Sequence, residues 1–298
     1  MLEAWQAIPV AGGAVLLLAL WVRREYGGQA AGVMLALAAA ALACVWVAYE
    51  VAPVEQWRKE SLPVGLAIFA LPALAGTAIA VIQARSEGGR LRGIEALYLA
   101  LLWATPAVLL YVSQRKPFGS ELANLLWWAG SSLAIYALVP VAYARIAGQS
   151  VRGYGLSVRF VRSEATLIAL IAPVALVIVW LASADQRFLD TYPFYGGDGW
   201  SLVLFEAAYG ATFVALEFFF RGFLVFAGQP VLGVHAVPVM AFAYCLLHLG
   251  KPMPEAVSSL IGGLILGYLA LRLRSILAGV VAHLTIAWGM DAFVLSRS

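Results

Sequence analysis

The stretch Leu216-Glu-Phe-Phe-Phe-Arg-Gly222 places a carboxylate and a guanidinium four residues apart inside an otherwise apolar run. Four residues turn a helix through about 400° and advance it about 6 Å, so Glu217 and Arg221 share one face. A pair of this kind either neutralises two buried charges or holds a carboxylate that activates water. More ionisable groups follow in or beside the apolar runs of the last hundred residues: Glu206, His235, His248, His283 and Asp291, with all three histidines of the chain among them. A charge at the centre of a bilayer costs about 2.5–3.5 kcal/mol even on the lenient scale, so such groups normally face a partner or a cavity. Carboxylate and imidazole together are the usual means of moving a proton to or from a water molecule.

Depth counting sharpens the pattern. A hairpin turn near Gly-Gln-Pro-Val-Leu-Gly, centred on residue 231, leaves Glu217 fourteen residues before the centre and His248 seventeen after it. At about 1.5 Å per residue the two differ in depth by only about 4–5 Å, so they are expected to meet across antiparallel helices. Asp291 falls closer to the level of His248 than His283 does. Glu206 precedes Glu217 by three turns on nearly the same face and either lines the same cavity or sits at the interface, with Tyr209 one turn away as a hydrogen-bond donor. Glu255, after Lys251-Pro-Met-Pro254, suits a helix N-terminus, where the helix dipole favours negative charge. Lys251 and His235 are expected in loop or interface positions. Phe218, Phe219 and Phe220 are expected to pack or to face lipid.

The elements that must hold these groups are membrane helices. Hydrophobic residues make up 63% of the 298 positions and charged residues 12%, half the charged fraction of about 25% in soluble domains. Apolar runs recur near the ~20 residues that cross the hydrocarbon as helix, and alternating barrel strands are not seen. The fold class expected is all-α, a polytopic transmembrane bundle of about ten spans: 7–22, 30–51, 63–82, 96–112, 122–144, 165–182, 201–228, 234–249, 255–271 and 275–295. The first is short, and the seventh is long enough to protrude or tilt.

The chain divides near residue 164. Residues 1–164 carry five spans and a basic segment, 145–164, expected to lie on acidic headgroups. Residues 165–298 carry nearly every buried ionisable group. The aromatic, Gly-rich segment 183–200 reads as an interfacial belt or as a gate to the site. With Glu3 and no Lys or Arg ahead of the first apolar run, the N-terminus does not read as a cleaved signal. Loops after spans one, three, five and nine hold eleven Lys/Arg against seven in the others and the C-terminus, which puts both termini outside the cytoplasm. Cys44 and Cys245 read as small core residues. No basic block suggests nucleic acid.

These residues resemble the CAAX protease and bacteriocin-processing family (the glutamic-type intramembrane endopeptidases, also called CPBP or ABI). That family carries Glu-Glu followed three residues later by Arg, then Phe-x3-His, then His-x3-Asn/Asp, in successive helices. Here the motifs stand as Leu216-Glu217-x3-Arg221-Gly222, Tyr244-x3-His248 and His283-x3-Ala287, and the resemblance spans about 200–295. The continuation from His-Leu-Gly-Lys-Pro is similar to a branch with a single Glu in Glu-Phe-Phe-Phe-Arg-Gly.

Three departures stand out: Leu216 for the first Glu, Tyr244 for Phe, and Ala287 for the final amide or carboxylate. The resemblance implies that Glu217, with His248, deprotonates a water, that Arg221 holds Glu217, and that His283 donates to the oxyanion. Asp291, Glu206, Tyr244 and Glu255 are supporting candidates. It further implies a membrane-embedded or lipid-anchored protein or peptide as substrate, and an integral protein of a prokaryotic cytoplasmic membrane. No cofactor is required. On an older metallopeptidase view of the family, Glu217, His248 and His283 would be zinc ligands, although Arg221 would oppose the cation. Two alternatives remain: an inactive member that binds peptides as an immunity or scaffold protein, and a transporter.

Overall fold

The computed structural model describes residues 4–52, 61–156 and 162–297; Glu3 and residues 157–161 of the basic segment lie outside them. The protein is an integral membrane bundle built from helices, as its hydropathy requires. Helix α1 is Ala4–Tyr26, and α2, Gly28–Trp46, runs on through a π-helical turn to Val51. Helices α3 (Leu62–Ile68) and α4 (Ala70–Ser86) meet at a 47° bend and together are long and apolar enough for one span. Pro72 explains the bend, because it has no N–H for the carbonyl of Ile68 and its ring crowds that carbonyl. Next come α5 (Gly93–Ser113), α6 (Glu121–Ile146), α7 (Arg162–Ala182) and the short α8 (Gln186–Leu189). Helix α9, Gly199–Glu217, continues as a π-helix over Phe218–Ala227. The short α10 (Gln229–Leu232), α11 (Ala236–Leu247), α12 (Met253–Leu273) and α13 (Leu277–Leu295) complete the chain.

Eight of these segments are long and apolar enough to cross a membrane alone, and the bent α3–α4 pair makes a ninth. With α1, the elements correspond one to one with the ten expected spans. Their outer faces stay apolar: Leu17, Leu74, Leu138, Leu170 and Ile178 are more than half exposed. In water such a surface would be untenable; in a bilayer it is the lipid contact.

Helix α11 is the innermost element. Every residue from Ala236 to Leu246 is buried, and the helix packs on α2, α4, α12 and the π segment. Helix α7 lies at the edge against α13, and α1 packs on α2 and α12.

The first half of the chain has a visible structural task, which is to hold the π segment. Tyr98 of α5, Tyr136 and Tyr143 of α6, and Tyr154 close around Phe218, Phe219, Phe220 and Phe223 with ring centroids 5.1–6.4 Å apart. Such pairs add roughly 0.5–1.5 kcal/mol each beyond the area they bury. The Tyr98 hydroxyl donates to the Leu224 carbonyl at 2.6 Å. The three phenylalanines are therefore packing residues and not lipid-facing ones. Tyr154 is also 3% exposed, so this part of the basic segment tucks into the protein and does not lie on its surface.

Candidate active site

Glu217 ends the α-helical part of its span, where the coil widens into the π-helix. Such widened turns occur often at functional sites. Both Glu217 and Arg221 are buried, at 0% and 1% side-chain exposure, with Nη1 3.0 Å from Oε1. No guanidinium N–H is aligned on an acceptor, so the contact is one of opposite charges and not a directed hydrogen bond. The guanidinium carbon lies 4.1 Å from the centre of the Tyr244 ring, an additional attraction for a desolvated cation.

His283 of α13 brings Nδ1 to 2.5 Å from Glu217 Oε1. A carboxylate only accepts, so the proton sits on Nδ1 and Nε2 is left as an acceptor. Tyr244 of α11 fills that position, its hydroxyl donating to Nε2 at 2.6 Å. Phe213 stacks on the imidazole at 5.5 Å and fixes its plane. Three helices thus supply one chain: Arg221, Glu217, His283, Tyr244.

His248 caps the C-terminus of α11. Its Nδ1 donates to the Tyr244 carbonyl at 2.9 Å, which leaves Nε2 as the free acceptor, and its ring centroid lies 4.6 Å from that of Tyr244.

The expected meeting of Glu217 with His248 across the hairpin is corrected. Glu217 pairs with His283, and His248 joins the cluster only through Tyr244. Straight α-helical counting failed because the π segment 218–227 and the turn 228–235 both depart from 1.5 Å per residue. His283 has both nitrogens engaged, with Nε2 accepting from Tyr244, so the donor role implied for it at the oxyanion requires the ring to be protonated first.

Asp291 is buried but does not join this cluster. Its carboxyl group is near enough to that of Glu206 for the two to act on each other, and neither has a hydrogen-bond partner among the described residues. Glu206 thus has its oxygens buried against α13, and the neighbouring hydroxyl of Tyr209 does not reach them.

Glu255 begins α12 as expected. It also accepts from Lys251 Nζ at 2.7 Å and from the Tyr192 hydroxyl at 2.9 Å, while Lys251 donates to that hydroxyl at 3.0 Å. Burial works against the Lys251 charge, but Glu255, Tyr209 and Tyr244 together outweigh it and hold the ammonium above the ordinary lysine range. Burial and then Glu255 raise the Tyr192 phenol well above its usual value, so it stays a donor. Tyr49 anchors the same loop, donating to the Lys251 carbonyl at 2.6 Å.

Phe188 and Tyr192 pack on Val179, Met290 and Val294. The aromatic segment is therefore fastened over this end of the bundle and is not only a belt. Tyr192→Phe is expected to cost about 1.5–3 kcal/mol, the value of a hydrogen bond to a charged group. The melting midpoint should fall by a few degrees and the 183–198 segment should be cut faster in limited proteolysis.

Residues 197–289 match the family model for Rce1-like proteins, described as type II CAAX prenyl endopeptidase Rce1-like. This part of the chain, about a third of its length, is similar to the Rce1-like family. No significant match was found among curated proteins or solved structures. The Rce1-like segment begins just before α9 and ends within α13, so it contains Glu217, Arg221, Tyr244, His248 and His283. The family is one of proteases, in agreement with the resemblance drawn from the three motifs.

Against the Rce1-like motif pattern, Leu216 is a core residue, 9% exposed, and Ala287 packs with Phe205 and Tyr209. Neither position holds a polar group that could replace the missing one. Nor does the residue set fit the zinc ligation considered above: among the described residues no three His, Cys, Asp or Glu side chains gather as a ligand group, and Glu217 Oε1 faces two cationic or donor groups instead. His235 is buried in the turn before α11, with Nδ1 unpartnered. Cys245 is buried and Cys44 partly so, both free.

Two glycines make room at the site, Gly222 of the first motif and Gly279, which no motif contains. Gly222 lets the Tyr154 carbonyl approach, since a Cβ there would lie 2.8 Å from that oxygen. Gly279, one turn before His283, leaves room for the Glu217 carboxylate itself: an added Cβ would lie 2.8 Å from Cδ and collide with Oε2. For Gly279 the sequence signal is the Gly-x3-His spacing to His283, which is too common to single out.

Proposed function

We propose that the protein is an intramembrane endopeptidase that hydrolyses a peptide bond in a membrane-embedded or lipid-anchored protein. The observation that carries this reading is the convergence of Glu217, Arg221 and His283, from two separate spans, on one buried contact. A carboxylate beside an imidazole, with the proton fixed on Nδ1, forms a base whose cationic form is stabilised by the carboxylate, as in acyl-transfer triads. Glu217 and His283 therefore activate the water. His248, with Nε2 free, accepts the water's other hydrogen and orients the attacking lone pair. Arg221 supplies positive field to the developing oxyanion where Ala287 offers nothing, an electrostatic contribution of the most effective kind in a low-dielectric site.

The family description favours a prenylated C-terminal segment as substrate, entering laterally from the bilayer. The test uses full-length protein in lipid nanodiscs with a farnesylated, internally quenched peptide ending in an aliphatic tripeptide. The wild type cleaves it and Glu217→Gln does not; equal cleavage by both ends the proposal.

A second reading, peptide binding without turnover in an immunity or scaffold role, is favoured by Leu216 and Ala287. It expects the wild type to bind the same peptide uncut, and His248→Ala to bind it equally well. Placement in a prokaryotic cytoplasmic membrane, with both termini outside, belongs to the same proposal. A reporter fused within 250–254 that reads as cytoplasmic would reverse that orientation.

A further inference from the structure

Tyr244 carries a hydroxyl that its own packing does not need. The ring is already held by the Arg221 guanidinium at 4.1 Å, by Phe220 at 5.1 Å and by His248 at 4.6 Å. The hydroxyl goes instead to Nε2 of His283 at 2.6 Å, and the opposite nitrogen of that ring is 2.5 Å from Glu217. Carboxylate, imidazole and hydroxyl in this order are the arrangement of an acyl-transfer triad with a phenol at the end. The basic nitrogen of His283 is therefore reached through the phenol. We propose that the Tyr244 hydroxyl is a catalytic residue that relays the proton between the attacking water and His283. The inference rests on the hydrolytic reading above.

The step balances as follows. The water oxygen bonds to the carbonyl carbon as one of its O–H bonds breaks. That proton passes to the Tyr244 oxygen while the phenolic proton passes to Nε2, and the carbonyl π pair becomes the oxyanion lone pair. The imidazolium so formed faces Glu217. On collapse the C=O bond re-forms and the C–N bond breaks, and the proton returns from Nε2 through the same hydroxyl to the departing amine nitrogen. Nothing beyond water and the peptide is consumed. The phenol both accepts and donates in each direction, so it is unchanged at the end.

The test compares wild type, Tyr244→Phe and Glu217→Gln in nanodiscs with the farnesylated quenched peptide. The Phe variant keeps the ring and its contacts. Its kcat is expected to fall about 100-fold, at the low end for general acid–base groups because a water can take the hydroxyl's place. KM should stay within threefold and the melting midpoint should hold. The dependence of kcat on the D2O fraction should change from curved, with two protons in flight, to linear, with one.

A kcat within threefold of wild type, or raised, overturns the relay alone. So does an equal loss in kcat and affinity with an unchanged isotope dependence, which would mark a packing role. A wild type that leaves the peptide uncut removes the hydrolytic reading and the relay with it. If the Phe variant does not fold, trifluorotyrosine at 244 keeps the hydroxyl and makes it more acidic. An altered solvent isotope effect on kcat then supports the relay, and an unaltered one overturns it.

Discussion

Glu217→Gln is expected to lower kcat by at least about 10²–10⁴, the range that a positioned acid or base contributes, and to destabilise the protein as well. Gln fills the same volume and its carbonyl oxygen can still accept from His283 Nδ1. What it lacks is the negative charge that stabilises the imidazolium and balances Arg221. With the guanidinium 1% exposed, the substitution leaves a buried cation without its counter-charge, a situation that costs about 3–5 kcal/mol in comparable pairs. Contact with the Tyr244 ring offsets part of this.

Adding Arg221→Gln to Glu217→Gln should therefore recover stability while turnover stays absent. A thermal melt of the four-member cycle in detergent, run beside the cleavage assay, reads both quantities. A double variant no more stable than Glu217→Gln would show that the pair is not the electrostatic unit described here. A single variant with near-normal turnover would remove Glu217 from the chemistry.

The second large effect is expected from adding a single methyl group. Gly279→Ala should abolish most activity, by about 100-fold or more, although alanine is the better helix former. The added Cβ would lie 2.8 Å from the Glu217 carboxyl carbon and 3.4 Å from Oε1, and would overlap Oε2. The carboxylate has nowhere to retreat, since Oε1 is held by Arg221 and His283 together. Either α13 moves outward, taking His283 with it, or the carboxylate rotates off its partners. Overpacking of this kind costs about 1–3 kcal/mol, and a shift of about 1 Å in a reacting group is enough for a 100-fold loss. Gly262→Ala is the matched control, because nothing lies within 4 Å of a Cβ at that position; it should be silent in both assays. Wild-type kcat in Gly279→Ala would mean that the carboxylate is not held where the structure places it.

The polar groups missing at Leu216 and Ala287 bear on how the site works. Both positions are occupied by packed apolar side chains. The added polarity is on α11, at Tyr244, and the unpaired donors are on Arg221. The site is simpler than the three-motif pattern implies, with one carboxylate in place of two and a phenol beside the histidines.

Sequence alone determined that the chain is a helical membrane bundle, because the cost of unpaired backbone groups in lipid leaves apolar runs of this length no other regular form. It also determined where the buried ionisable groups gather, since such side chains in apolar runs are too costly to be left without a partner. The Glu217–Arg221 pair was legible because four residues is a fixed geometry on a helix. Which histidine meets the carboxylate was decided only in three dimensions. His283 is 66 residues away along the chain, and its contact depends on how α13 packs against α9. The rotation and rise lost in the π segment shifted the hairpin register, so His248 reached Tyr244 and not Glu217. Gly279 was invisible for a related reason: a residue whose contribution is the space it leaves shows no chemistry until a neighbour fills that space.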